Sequence, residues 1–291
     1  MMRQRSEQEM FNLILDYAME NEDIRAVIMN GSRANSNIVK DRYQDFDIIY
    51  VMRKVRPYVE DQSWLERFGK ICVMQQPDSG VLFDDVYEPD LHYTFLMQFE
   101  DLNRIDLSLN STEYYMKDHG SDSLTIVLLD KDQVLPPLPE STDKDYWLKK
   151  PASEQFRCCC NEFWWCTPYI AKGLCRNQLL YAMDMINDVV RPMLHMMLGW
   201  YAGIDTHFSL SLGKSNHRIF GYLPEKLAAG LRASYPHLDL EEMWESVDIM
   251  MDTFDMAAAR VADASGFIYV REESDNVRML LKRMRNQEFT W

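Results

Sequence analysis

The chain has 291 residues, enough to bury one large core or two smaller ones, and its 47% apolar content excludes global disorder. Its 46 acidic residues against 31 basic ones leave a formal net charge of −15. A surface this acidic is a poor partner for DNA or RNA and instead draws in cations. The first 24 residues mix acids with helically spaced apolar positions, unlike a signal peptide, and no run approaches the ~20 apolar residues of a membrane span. A soluble, cytoplasmic, monomeric protein is expected, with no nucleic-acid or membrane partner.

Residues 5–20 carry Phe11, Ile14, Leu15 and Ala18 on one helical stripe. A strand over 24–30 then delivers the run Gly31-Ser32-Arg33, and a dozen residues later Asp45-Phe46-Asp47 enters a second strand over 46–52. Alternate strand residues share a face, so Asp45 and Asp47 project together while Phe46 and Ile48 point into a core. Neighbouring carboxylates repel, and an all-oxygen pair suits Mg²⁺ shared with substrate phosphates. Gly31 permits a positive φ, and the turn's N–H groups with the Ser32 hydroxyl can grip phosphate oxygens. The combination points to nucleotide chemistry.

A helix is expected over 57–69 and a strand over 70–75, followed by a hairpin of strands at 91–99 and 104–109. In the second of these Arg104, Asp106 and Ser108 share the polar face. Two readings of Asp106 stand open: a third acid for the metals, or an ion-pair partner of Arg104 two residues away. A last strand at 125–129 closes a small mixed sheet covered by helices. The prolines at 136, 137 and 139 and the polar run 140–145 mark a linker, so domains at 1–140 and 141–291 are expected. The second half is helical in period: a helix from Ser153, capped with the help of Gln155, to about Ala171, another over 174–198 that Pro192 bends or interrupts, and a third over 240–262. The fold class is thus α/β (α+β), a mixed-sheet domain followed by an all-helical one.

Other features carry less. Adjacent helical cysteines such as Cys158, Cys159 and Cys160 diverge and form no zinc face. Gly213-Lys214-Ser215 is no P-loop, since Phe208 stands where the motif needs its first glycine. Of Phe163, Trp164 and Trp165, Trp165 is the one expected to offer a stacking face, and Asp184 is expected to clasp a cationic substrate from its helix.

The stretches AVIMNGSRANSN, QDFDIIYVM, FLMQFEDLNRIDLSL, NEFWWCTPYIAKGLCRNQLLYAMDM and FSLSLGKSNHRI together resemble the aminoglycoside 6-adenylyltransferases, within the nucleotidyltransferase superfamily. The resemblance runs over both halves of the chain. It implies a nucleotidyltransferase-type first domain, a helical substrate-binding second domain, and adenylyl transfer from ATP-Mg²⁺ to a hydroxyl of a polycationic aminoglycoside, streptomycin foremost, giving resistance. By position Gly31, Ser32, Asp45, Asp47 and Asp106 match the nucleotide and metal motif, with two Mg²⁺ ions and Asp106 as ligand, general base or both. Arg33, Lys172 and Lys214 are then expected at the triphosphate, against the plainer readings of a helix-end lysine for Lys172 and a solvated loop lysine for Lys214. The competing expectations are a nucleotidyltransferase for another antibiotic or for a protein, and a non-catalytic nucleotide-binding regulator of the same fold.

Overall fold

The structure, a computed structural model, describes residues 3–79, 87–133 and 135–288. It divides into two compact units, Met1–Asp145 and Tyr146–Trp291, which places the division a few residues beyond 140, after the polar run that follows the prolines.

In the first unit Ser6 caps helix α1 (Glu7–Glu20) in a capping box with Glu9. Strands β1 (Ile24–Asn30), β2 (Phe46–Met52), β3 (Ile71–Gln75), β4 (His92–Phe99), β5 (Arg104–Ser111) and β6 (Thr125–Asp130) form one sheet in the order β3-β4-β5-β2-β1-β6. Only β2 and β5 run parallel; the other pairs are antiparallel. Phe46, Ile48 and Tyr50 of β2 and Ile105, Leu107 and Leu109 of β5 join one core with Met10, Ile14 and Ala18 of α1. The opposite face has a much smaller apolar cluster of Ala26, Ile28, Val51 and Tyr115, the last from helix α3 (Thr112–Asp118). Alternation therefore leaves Asp47, Asp106, Ser108 and Asn110 on the less covered face.

The helix expected over 57–69 is broken. Helix α2 (Arg56–Glu60) ends where the Asp61 carboxylate turns to accept the Ser63 N–H at 3.0 Å, and a 3₁₀ stretch, Ser63–Phe68, follows. Such an Asx turn offers the backbone a bond that competes with the helix.

The second unit is helical: α4 (Ser153–Cys175), α5 (Leu179–Asp184), α6 (Arg191–Asp205), α7 (Glu225–Ala233), α8 (Leu240–Ser265) and α9 (Arg271–Arg285). Ala152, not Ser153, occupies the cap position of α4, and Gln155 Oε1 accepts its N–H at 2.9 Å. Phe163 stacks on Phe254 of α8 at 3.8 Å and 7°, at the centre of the unit's core. The helix expected over 174–198, bent or interrupted at Pro192, is interrupted: α4 itself runs to Cys175, and α5 and α6 are joined by a π-helix, Met185–Val190. Pro192 explains it: the ring removes an N–H and crowds the preceding turn, and a widened turn absorbs both. No helix among the described residues is long and apolar enough to cross a membrane.

Candidate active site

The parallel register pairs Asp47 with Asp106, and the antiparallel register pairs Asp47 with Asn30. Asn30, Asp47 and Asp106 thus form one row across three neighbouring strands. Asp45 lies at the mouth of β2, one pleat before Asp47. Directly after Asn30 the chain turns into a 3₁₀ segment, Gly31–Ala34, with Gly31 at φ +71°. A Cβ built on Gly31 would overlap Asp47 Oδ2 and lie 2.9 Å from its Cγ, so glycine is needed both for the backbone path and for the carboxylate beneath it. Gly31→Ala is expected to lower stability by about 1–3 kcal/mol and, by displacing Asp47, to reduce kcat by roughly 10²-fold. Melting and steady-state turnover check this; a variant with wild-type kcat would show that Asp47 need not sit where the glycine lets it.

The electrostatics of the row are those of carboxylates short of positive charge. Burial, then Asp106 and Asp45, push Asp47 up to about 6. Burial also raises Asp45, with Arg104 opposing and Asp106 adding to it. Asp106 is held by Arg104, whose Nε and Nη2 donate to its two oxygens at 2.6 and 2.8 Å, and the same Nε lies 3.7 Å from Asp45 Oδ2. The ion pair with Arg104 is therefore formed. Asn30 Oδ1, buried beside Asp47, has no hydrogen-bond partner. Among the described residues no three such side chains are gathered round one point as a finished metal centre. The chemistry of the donor set nonetheless fits a hard divalent cation. Three carboxylates and an orphaned amide oxygen lie on adjoining strands, and a guanidinium already serves as the cation between Asp45 and Asp106. A metal there would compete with Arg104 for the Asp106 carboxylate.

Arg33 has a task other than the triphosphate contact expected of it. Its side chain is buried, with Nε and Nη2 donating to the carbonyls of Asp45 and Gln44 at 3.0 and 2.7 Å and Nη1 to Glu7 at 3.1 Å. Its Cζ lies 3.7 Å over the Phe46 ring. With its fork taken up by backbone, Arg33 fixes the approach to β2 and hence Asp45. Asn30 was missed in the sequence, although its place immediately before the glycine turn was a usable signal.

The remaining expected residues belong to the helical unit. Trp165 is 66% exposed while Phe163 and Trp164 are buried. Trp165 and Lys172 line one pocket of about 420 Å³ between α4 and α9, where Lys172 Nζ stands 4.9 Å over Tyr169. Lys214 is exposed at the start of a 3₁₀ turn, Lys214–Asn216. Asp184 is exposed on its helix, on the same side as Leu180, which is 71% exposed, while the buried stripe is Ala182, Ile186 and Val190. Of the six cysteines, Cys159, Cys160 and Cys166 are buried and Cys72, Cys158 and Cys175 are exposed.

The Gly31 turn thus lies directly against the Asp47 carboxylate, with Asp106 paired beside it. Residues 4–284 match the family described as streptomycin adenylyltransferase. The aminoglycoside 6-adenylyltransferase of Campylobacter jejuni is 40% identical over 260 residues, 89% of this chain and 88% of that one. Its counterpart in Bacillus subtilis (strain 168) is 37% identical over 271 residues, 91% and 93% of the two chains. A crystal structure of an aminoglycoside 6-adenyltransferase from Bacillus subtilis aligns over 97% of this chain and 99% of that one, at 32% identity and a TM-score of 0.46. The chain belongs to the streptomycin adenylyltransferase family of enzymes.

Proposed function

We propose that this protein transfers AMP from ATP to a hydroxyl of an aminoglycoside, streptomycin being the acceptor, and so confers resistance to it. The observation that carries the reading is the register of Asp47 beside Asp106 under the Gly31 turn, in a chain of this family. In this reading the backbone N–H groups and hydroxyl of Gly31 and Ser32 hold the β- and γ-phosphates. Asp45, Asp47 and Asp106 hold Mg²⁺, which when bound supplies charge stabilisation at the reacting phosphate. Arg33 keeps Asp45 in place through its carbonyl, and Gly31 keeps Asp47 in place by lacking a side chain. Asp106, freed from Arg104, takes the proton of the acceptor hydroxyl. The acceptor oxygen then bonds to the α-phosphorus, the bond from that phosphorus to the bridging oxygen breaks, and pyrophosphate leaves. In the helical unit, the exposed face of Trp165 and the ammonium of Lys172 are the side chains we assign to the substrates.

The test is a panel of aminoglycosides incubated with ATP and Mg²⁺, read by pyrophosphate release and by the mass gain of one AMP. Adenylylated streptomycin is the expected product. A mass gain on another aminoglycoside alone would move the acceptor, and none on any would overturn the reading. The net charge of −15 adds a further expectation. KM for the polycationic acceptor should rise with salt as the Debye length contracts from ~10 Å at 0.1 M to ~3 Å at 1 M. A KM indifferent to salt would remove electrostatic attraction from the account of acceptor binding.

A further inference from the structure

The polar run 140–145, which the sequence marks as a linker, is tied to the Gly31 turn. Ser141 Oγ donates to the carbonyl of Ala34, the last residue of the 3₁₀ turn, at 2.8 Å and lies 3.3 Å from the Ser123 carbonyl. Two residues on, Asp143 Oδ1 accepts from Asn37 Nδ2 at 2.9 Å. Asp143 is only 4% exposed, and Asn35, whose Oδ1 accepts the Asn37 N–H at 2.8 Å, is 6% exposed. The bonded groups lie 107 and 106 residues apart in the chain, so these are tertiary ties and not local turn contacts.

The segment is itself anchored. The Thr142 N–H donates to the Ser123 carbonyl at 2.9 Å, and Asp145 Oδ2 accepts the Ser123 N–H at 3.1 Å. Ser123 stands two residues before Thr125, which pairs in β6 with Asn30, the residue directly before Gly31. The turn is thus gripped on both sides, at its end by Ser141 and at its approach through β6. A turn that offers N–H groups to an anion needs its carbonyls directed away and satisfied, because a carbonyl oxygen facing a phosphate repels it. The Ser32 carbonyl accepts the Asn35 N–H at 3.2 Å, and the Ala34 carbonyl takes its bond from Ser141. Desolvating Asp143 is costly unless donors meet it, so Asn37 is held firmly and not exchanged for water.

We propose that Ser141 and Asp143 are positioning residues for ATP: they hold the carbonyl side of the 31–37 loop, so that the N–H groups of Gly31 and Ser32 are set for the β- and γ-phosphates before the nucleotide arrives. The inference rests on the nucleotide reading above and adds to it two residues from the last turn of chain in the first unit. They act through the backbone of the loop and not on the reacting atoms. Without them the loop must be ordered by the ligand itself, and that ordering appears as lost affinity. Contacts to the β- and γ-phosphates are made alike before and during transfer, so their loss should weaken ATP binding more than it slows the chemistry.

The experiment is titration calorimetry of the full chain with ATP and Mg²⁺ in the absence of acceptor, beside steady-state kinetics and melting curves. Ser141→Ala is expected to raise Kd and KM for ATP by about 3- to 10-fold, the loss of one hydrogen bond. Its kcat should stay within about threefold of the wild type, and KM for the acceptor should not change. Ser141→Thr keeps the hydroxyl and should return Kd to within about twofold of the wild type. Because Asp143 is buried, Asn37→Ala, on the exposed side of the same bond, provides a second test should Asp143→Ala melt early; it should raise Kd for ATP by a similar factor. Three results would each overturn the proposal. They are an ATP Kd unchanged in both Ser141→Ala and Asn37→Ala, a fall in kcat and Tm at constant KM for ATP, or a Ser141→Thr variant that melts like the wild type yet binds ATP no better than Ser141→Ala. If the wild type shows the expected ATP dependence but transfers AMP to no aminoglycoside, the acceptor reading fails and the positioning role stands. A wild type that does not bind ATP removes both.

Discussion

Asp47→Asn is expected to eliminate transfer, by ~10³-fold or more, and at the same time to make the metal-free protein more stable at neutral pH. The two effects have one cause. Burial and the neighbouring Asp106 and Asp45 raise the Asp47 carboxyl from 3.8 to about 6. Between those values the folded chain holds a proton that the unfolded chain has released. Stability therefore falls as pH rises through the window, and above about 6 the whole penalty of an ionised Asp47 is present. An isosteric amide removes that penalty. Its gain in Tm should be absent below pH 4 and reach about 2–4 °C at pH 7–8, roughly 1 kcal/mol for a chain of this size. The figure is kept below what the shift alone would imply because Asp47 is only half-buried and solvent screens it. The amide also removes a full negative charge from the metal-holding set, and the several kcal/mol of charge stabilisation that a bound metal contributes go with it. Mg²⁺ should raise the Tm of the wild type and not that of the variant. A variant with wild-type turnover, or one whose Tm is lower at pH 8, would refute the assignment of Asp47.

Period-two alternation made much of this site readable. D-x-D entering β2 and R-I-D-L-S-L along β5 each put one set of side chains in a core and the other on the open face, and both strands form. Gly31 was readable because only a positive φ and a close carboxylate ask for glycine there. What was not legible depended on contacts between distant segments. The positive charge of Arg33 suggested phosphate, but Gln44 and Asp45 return their carbonyls from an irregular loop and occupy it. Arg104 could be seen as a partner of Asp106, yet its reach to Asp45 depends on the β2–β5 pairing, which no local pattern encodes. Asp184 and Leu180 share a helical face, and which face is buried was settled by packing against α4, not by their own spacing. The π-helix at 185–190 was signalled only by Pro192, which reads equally well as a bend. Helix α9 escaped notice because its sequence, REESDNVRMLLKRMR, is mostly charged and buries little besides Ser274 and Leu281.

The Asp106–Arg104 pair gives the second large effect, and comparing the two substitutions separates an ion pair from a catalytic carboxylate. Asp106 is 22% exposed and Arg104 39%, so breaking their bond should change stability by no more than about 1 kcal/mol in either variant. Their effects on turnover should diverge. Asp106→Asn removes the group assigned to take the acceptor proton, and kcat should fall ~10²–10⁴-fold while ATP affinity changes much less. Arg104→Ala leaves Asp106 without its competing cation. Mg²⁺ should then half-saturate the enzyme at a lower concentration, and kcat should remain within about tenfold of the wild type, since no proton or phosphate contact has been assigned to the guanidinium. A Mg²⁺ titration of activity for both variants, beside their melting curves, provides the comparison. If Asp106 serves only to neutralise Arg104, the two variants will lose similar stability, retain similar turnover and show the same requirement for Mg²⁺. In that outcome the proton must leave the acceptor by way of another group. If Arg104→Ala instead loses activity as severely as Asp106→Asn without any change in its Mg²⁺ requirement, the guanidinium acts on the substrate directly, and its fork on Asp106 is a resting position held until ATP arrives.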